Sequence, residues 1–121
     1  MTKNDLVGTW RFVDFRLVND ADGTVTRPWG EDHSGQIVYA PDGYMSVLMR
    51  RPGGVMAYCG PYEIDGDAVI HRIVIATDPK LVGTAQRRGV KLEGNRVTLT
   101  SEVSLFGGPG THANLVWERM A

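Results

Sequence analysis

Apolar side chains in this sequence recur with a period of two within short runs, and clusters of Gly, Pro, Asp and Asn separate the runs. The runs predict strands at about 7–18, 35–40, 44–50, 56–64, 68–76, 82–92, 96–104 and 111–119, with a short pairing piece near 24–27. The separators are Asp22-Gly23, Pro41-Asp42-Gly43, Pro52-Gly53-Gly54, Asp65-Gly66, Asp78-Pro79, Glu93-Gly94-Asn95 and Gly107-Gly108-Pro109-Gly110. Each supplies a positive φ, a fixed φ or local capping of the backbone. The only helix expected is a single turn near residues 2–6, where Thr2, Asn4 or Asp5 can cap. No linker, repeat or low-complexity tract divides the chain, so residues 1–121 read as one domain.

Eight or nine antiparallel strands with almost no helix leave two architectures, a sandwich or a closed up-and-down barrel. Closure removes edge strands, which matters where no helix can cover them. A barrel of about eight strands encloses a space that side chains fill or that holds one small ligand. The run from Ala68 to Ile75 is apolar on both faces. A strand of that kind is covered on both sides, which predicts a second subunit in a homodimer, or a folded-over loop, outside it.

Composition agrees with strands. Val, Ile and Thr outnumber Leu and Ala, and such β-branched side chains suit a pleated surface. The 15 glycines suit turns and bulges. With 13 basic against 14 acidic side chains, the net charge of −1 lacks the footprint of a nucleic-acid binder. No stretch approaches the length that spans a bilayer, and no leader pattern opens the chain. The one cysteine, Cys59, cannot form an internal disulfide. A cytoplasmic domain is the expectation.

The two ends carry the most specific signal. Leu6-Val7-Gly8-Thr9-Trp10 places a G-x-W at the head of the first strand, and Leu115-Val116-Trp117-Glu118-Arg119 puts Trp117 and Arg119 on one face. Between them stand Gly35-Gln36-Ile37-Val38-Tyr39, Pro41-Asp42-Gly43-Tyr44-Met45-Ser46, Arg51-Pro52 and Tyr58-Cys59-Gly60-Pro61-Tyr62-Glu63. Val69-Ile70-His71 and Leu81-Val82-Gly83-Thr84 follow, the latter with Gln86 and Arg88. In this order the segments resemble the bacterial and fungal lipocalin-like domain family of short, intracellular calycins. The resemblance implies an up-and-down barrel whose floor is closed by Trp10 with Arg119 across its ring, an arrangement that gains cation–π energy. It also implies a small-molecule ligand. The T-D-Y segment and disulfides of secreted lipocalins are missing, so their transport roles do not carry over. The segment between Arg51-Pro52 and Tyr58 is short where relatives often insert a helix, which implies an open end or one closed by a partner.

Candidate chemistry follows from strand phase. His71 shares a face with Val69, Ile73 and Ile75, and an imidazole inside a partly dry barrel can serve as acid, base or ligand anchor. A core histidine satisfied by a backbone or Tyr partner is the plainer reading. Tyr58 and Tyr62 share a face across Gly60 and can orient a ligand carbonyl. Gln86 and Arg88 share a face with Thr84 and Val90, and an inward Arg88 offers a positive fork to a carboxylate, phenolate or enolate. Tyr39, Met45 and Met49 suit an adaptable wall. Asp14 is in phase with Trp10 and Phe12, which predicts a buried carboxylate paired with an Arg.

The histidines His33, His71 and His112 show no metal-ligand spacing, and no cofactor motif is present. Three function classes fit. One is a module that binds a small, largely hydrophobic molecule through Tyr39, Met45, Tyr58, Tyr62, His71, Gln86 and Arg88. Another is a cofactor-free isomerase, cyclase or dehydratase on a polyketide- or terpenoid-like molecule, with His71 moving a proton and Arg88 or Tyr62 stabilising an oxyanion. The third is a filled barrel used for interaction or oligomerisation. A cavity of roughly 300 Å³ or more would separate the first two from the third.

Overall fold

The computed structural model describes residues 1–101 and 109–120. One helical turn, α1 (Lys3–Leu6), precedes ten strands. These are β1 (Gly8–Asn19), β2 (Val25–Thr26), β3 (Ser34–Tyr39), β4 (Tyr44–Arg51) and β5 (Gly54–Asp65). The second half holds β6 (Ala68–Arg72), β7 (Ile75–Ala76), β8 (Ala85–Glu93), β9 (Arg96–Ser101) and β10 (Thr111–Arg119). Each of β1, β3, β4, β5, β6, β8, β9 and β10 pairs antiparallel with the next, and β10 returns to β1, so the sheet closes as an eight-stranded barrel. Two short strands lie off the ring: β2 pairs with the end of β1, and β7 pairs with β5. Of the expected strand at 96–104, the part beyond Ser101 lies outside the described residues, as do Gly107 and Gly108 of the last turn.

The period of two makes the core. Trp10, Phe12 and Phe15 of β1, Ile37 and Tyr39 of β3, and Met45, Val47 and Met49 of β4 all point inward and are buried. Val97, Leu99, Leu115 and Trp117 complete the opposite wall.

The floor explains the G-x-W spacing. Gly8 has φ +136°, and a Cβ there would stand 2.6 Å from a guanidinium nitrogen of Arg119. Because residue 8 is glycine, Arg119 can cross the floor with its guanidinium carbon 4.1 Å from the Trp10 ring centre. Arg119 also donates to the carbonyls of Val7 (2.7 Å) and Asp5 (2.9 Å), and the Trp10 indole N–H donates to that of Leu6 (2.9 Å). Arg119, together with Lys3 on the Pro41 carbonyl (3.2 Å), therefore holds α1 onto the barrel end.

Two expectations change, both through added residues in a strand. The β1–β10 register shifts between Phe12 and Asp14, so Phe15, not Asp14, continues the inward face. Asp14 points outward, where it pairs with Arg16 (2.7 Å) and Arg27 (3.2 Å). The run 68–76 is broken at Ile73–Val74. Ile73 is buried and bonds to the loop before β8, its N–H donating to the Thr84 carbonyl (3.0 Å). Val74 N–H returns to the Cys59 carbonyl (2.9 Å). The step reverses the phase, so Ile75 is 66% exposed while His71 is 1% exposed. Ile75 therefore does not share the face of His71, and Val74 and Ile75 are exposed in the single chain.

Gly60 makes this break sterically feasible. A Cβ on it would sit 1.8 Å from the Arg72 carbonyl oxygen. Gly60→Ala is expected to lower stability by about 2–3 kcal/mol, as overpacking against backbone does. Urea unfolding would check this, and a loss below about 0.5 kcal/mol, the range of ordinary surface changes, would mean that the break relaxes freely.

Candidate ligand site

β5, β6 and β8 meet side by side, and their inward residues form the polar part of the interior. Tyr62 pairs with His71, and His71 with Gln86; Val69 pairs with Arg88. His71 lies between two phenols: its Nε2 is 2.6 Å from the Tyr39 hydroxyl and its Nδ1 is 2.8 Å from that of Tyr58. The Arg88 guanidinium lies beside Tyr58. Arg88 is only 6% exposed, and its guanidinium donates to the backbone carbonyl of Arg87 (3.2 Å). Among the described residues no carboxylate pairs with it.

Burial, then the nearby Arg88 charge, pushes the His71 pKa down to about 3, so the ring is neutral at physiological pH. Burial raises the Tyr39 phenol well above its ordinary value, and it raises Tyr58 against the opposing pull of Arg88. With all three groups neutral, the trio has two hydroxyl protons and one imidazole proton but only two hydrogen bonds joining its members. One hydroxyl proton is left over. If Nε2 carried the ring proton, the surplus would fall on Tyr39, which is fully buried. With the proton on Nδ1, Tyr39 donates to Nε2, Nδ1 donates to Tyr58, and the spare proton belongs to Tyr58. Tyr58 lines a cavity, so we assign the Nδ1–H tautomer.

That cavity measures about 20 Å³ and is walled by Ile37, Val47, Met49, Met56, Leu99, Leu115 and Trp117 around the polar Tyr58, His71 and Arg88. It is room for a single water. Three expected residues therefore converge. Tyr39 reaches the site through His71. Tyr62 does not join it, because its hydroxyl donates to the Ala40 carbonyl (2.8 Å) beside the floor. Gln86 bonds Thr84 Oγ1 (3.0 Å), and Met45 is core below the cavity wall. Trp117 and Leu115 were missed as wall residues, although their phase with Arg119 was visible. The indole N–H of Trp117 is buried and has no partner among the described residues.

The expected open end is partly covered. Trp29, from the segment between β2 and β3, stacks on Phe15 with ring centres 3.6 Å apart, and Arg51 lies 5.9 Å from the Trp29 ring. No cluster of His, Cys, Asp and Glu among the described residues can hold a metal. Among them, no helix is long and apolar enough to cross a membrane.

The lipocalin-like domain model matches residues 7–56 and 54–120. The chain belongs to the lipocalin-like domain family. A lipocalin-like protein from Bacteroides uniformis has the same fold, with a TM-score of 0.57 at 17% identity over 96% of this chain and 99% of that one. A redesigned β-barrel superposes with a TM-score of 0.53 at 16% identity, covering 99% of this chain and 96% of its own. A de novo fluorescence-activating β-barrel gives 0.50 at 14% identity, covering 94% and 93%. No curated protein matches the sequence. These likenesses concern the fold of the lipocalin-like barrel, and the site rests on its own geometry.

Proposed function

We propose that this lipocalin-like barrel binds a small, largely hydrophobic molecule in its interior, with the polar end held at Tyr58, His71 and Arg88. The observation that carries the reading is a buried guanidinium with no carboxylate partner among the described residues, set in an apolar wall. A buried charge left unpaired costs several kcal/mol, so a fold that keeps one has a use for it. Met49 and Met56 give the wall its adaptability, since unbranched thioethers re-pack at low cost and the cavity must widen to admit more than a water.

Proton transfer is the less favoured use of the same residues. A histidine with a pKa of about 3 and both ring nitrogens engaged is a weak base for a carbon acid. A filled barrel used as an interaction module is favoured by the cavity of about 20 Å³, far below the roughly 300 Å³ usual for a small-molecule site. Exposed Leu48, Val55, Val74 and Ile75 would then be the working surface.

Methyl NMR separates these readings. With 1-octanol as the first probe, the Met49 and Met56 methyl signals are expected to move together and saturate at one molecule per chain. Shifts confined to Val55, Val74 and Ile75 would overturn interior binding in favour of the outer surface.

A further inference from the structure

We infer that the polar end of the bound molecule is an oxyanion, because among the described residues the cavity presents hydrogen-bond donors and no free acceptor. This deepens the proposed function and rests on it. The inventory is short. Both nitrogens of His71 are engaged by Tyr39 and Tyr58. The lone pairs of the Tyr58 oxygen face the His71 Nδ1–H and the Arg88 guanidinium, which leaves its hydroxyl proton to be given away. Arg88 has five N–H groups, and the bond to the Arg87 carbonyl uses one nitrogen. The Trp117 N–H, on the same cavity wall, is buried with no acceptor among the described residues.

An amine head group would set further donors against these donors and an ammonium charge against Arg88. An alcohol would satisfy one donor and bring another. A carboxylate, phenolate or enolate brings acceptors only, neutralises Arg88 and fits its planar fork. The rest of the wall, from Ile37 and Val47 to Leu99 and Leu115, takes hydrocarbon.

Three probes with one tail test the inference: octanoate, 1-octanol and octylamine, titrated at neutral pH by calorimetry with the methionine methyl signals followed in parallel. Octanoate is expected to bind at least about tenfold more tightly than 1-octanol, the factor that one charge-assisted hydrogen bond supplies. Octylamine is expected not to bind. Arg88→Met should bring octanoate down to the level of 1-octanol, and Tyr58→Phe should weaken it by a smaller factor. The Met variant should melt no lower than the parent, so a folded protein is compared with a folded protein.

Equal binding of acid and alcohol, or a preference for the amine, would overturn the oxyanion and leave interior binding standing. A preference for octanoate that survives in Arg88→Met would overturn the assignment of the guanidinium. If none of the three probes moves the Met49 and Met56 signals, interior binding itself fails and this inference falls with it.

Discussion

Lowering the pH from neutrality to 4 is expected to cost the barrel about 3 kcal/mol through His71 alone. In the unfolded chain a histidine titrates near 6.5, whereas in the native barrel His71 titrates near 3. Between those values the unfolded state holds a proton that the native state refuses. Stability then falls by about 1.4 kcal/mol for each pH unit. The contribution is complete above about pH 6.5 and is lost as the pH falls toward 3. Urea unfolding at a series of pH values, on the parent and on His71→Gln, isolates the effect from the carboxylates common to both. The parent curve should drop more steeply between pH 6.5 and 4. Parallel curves would mean that His71 titrates normally, and the neutral trio with Tyr39 and Tyr58 would have to be abandoned.

Trp10→Ala is expected to cost about 3–5 kcal/mol, the usual range for removing a buried aromatic ring. Three losses coincide. The floor gains a void where the indole was, the Leu6 carbonyl loses its donor, and the Arg119 guanidinium loses the ring beneath it. Trp10→Phe should recover the packing without the Leu6 bond and fall between the parent and the alanine variant. Chemical denaturation measures all three proteins. A loss below about 1 kcal/mol for alanine, far under that range, would mean that Arg119 and α1 close the floor without the indole.

The strands were legible because each turn carries its own chemistry. Pro41-Asp42-Gly43 and Glu93-Gly94-Asn95 end one strand and begin the next whatever the barrel does around them. Phase was legible until a residue was inserted. Asp14 and Ile75 were both assigned by counting in twos across a break, and one added residue turns every later side chain to the other face. The signal that marks the second break is Gly60, on the neighbouring strand and far along the chain from Arg72 and Val74, whose backbone it lets approach. Within the site, Tyr58, His71 and Arg88 followed from phase alone. Tyr62 and Gln86 had the right phase too, but acceptors at Ala40 and Thr84 draw their polar ends aside. Those acceptors belong to segments adjoining the strands, where periodicity carries no information. The size of the cavity depends on how Met49, Met56 and Trp117 fill space together, which no one-dimensional pattern encodes.

The seam between β1 and β10 has a kinetic meaning as well. Arg11 and Glu118, 107 positions apart, form an ion pair across it, and every other ring contact joins strands that follow closely in the chain. Bringing such distant segments together costs loop entropy before any contact rewards it. The meander from β1 to β9 can therefore grow hairpin by hairpin, while the β1–β10 seam waits for the last strand. Until residues 111–119 have been synthesised, the edge of β1 that pairs with β10 is bare. A nascent chain of this kind is exposed to aggregation through its first strand, and the risk ends only when the ring shuts.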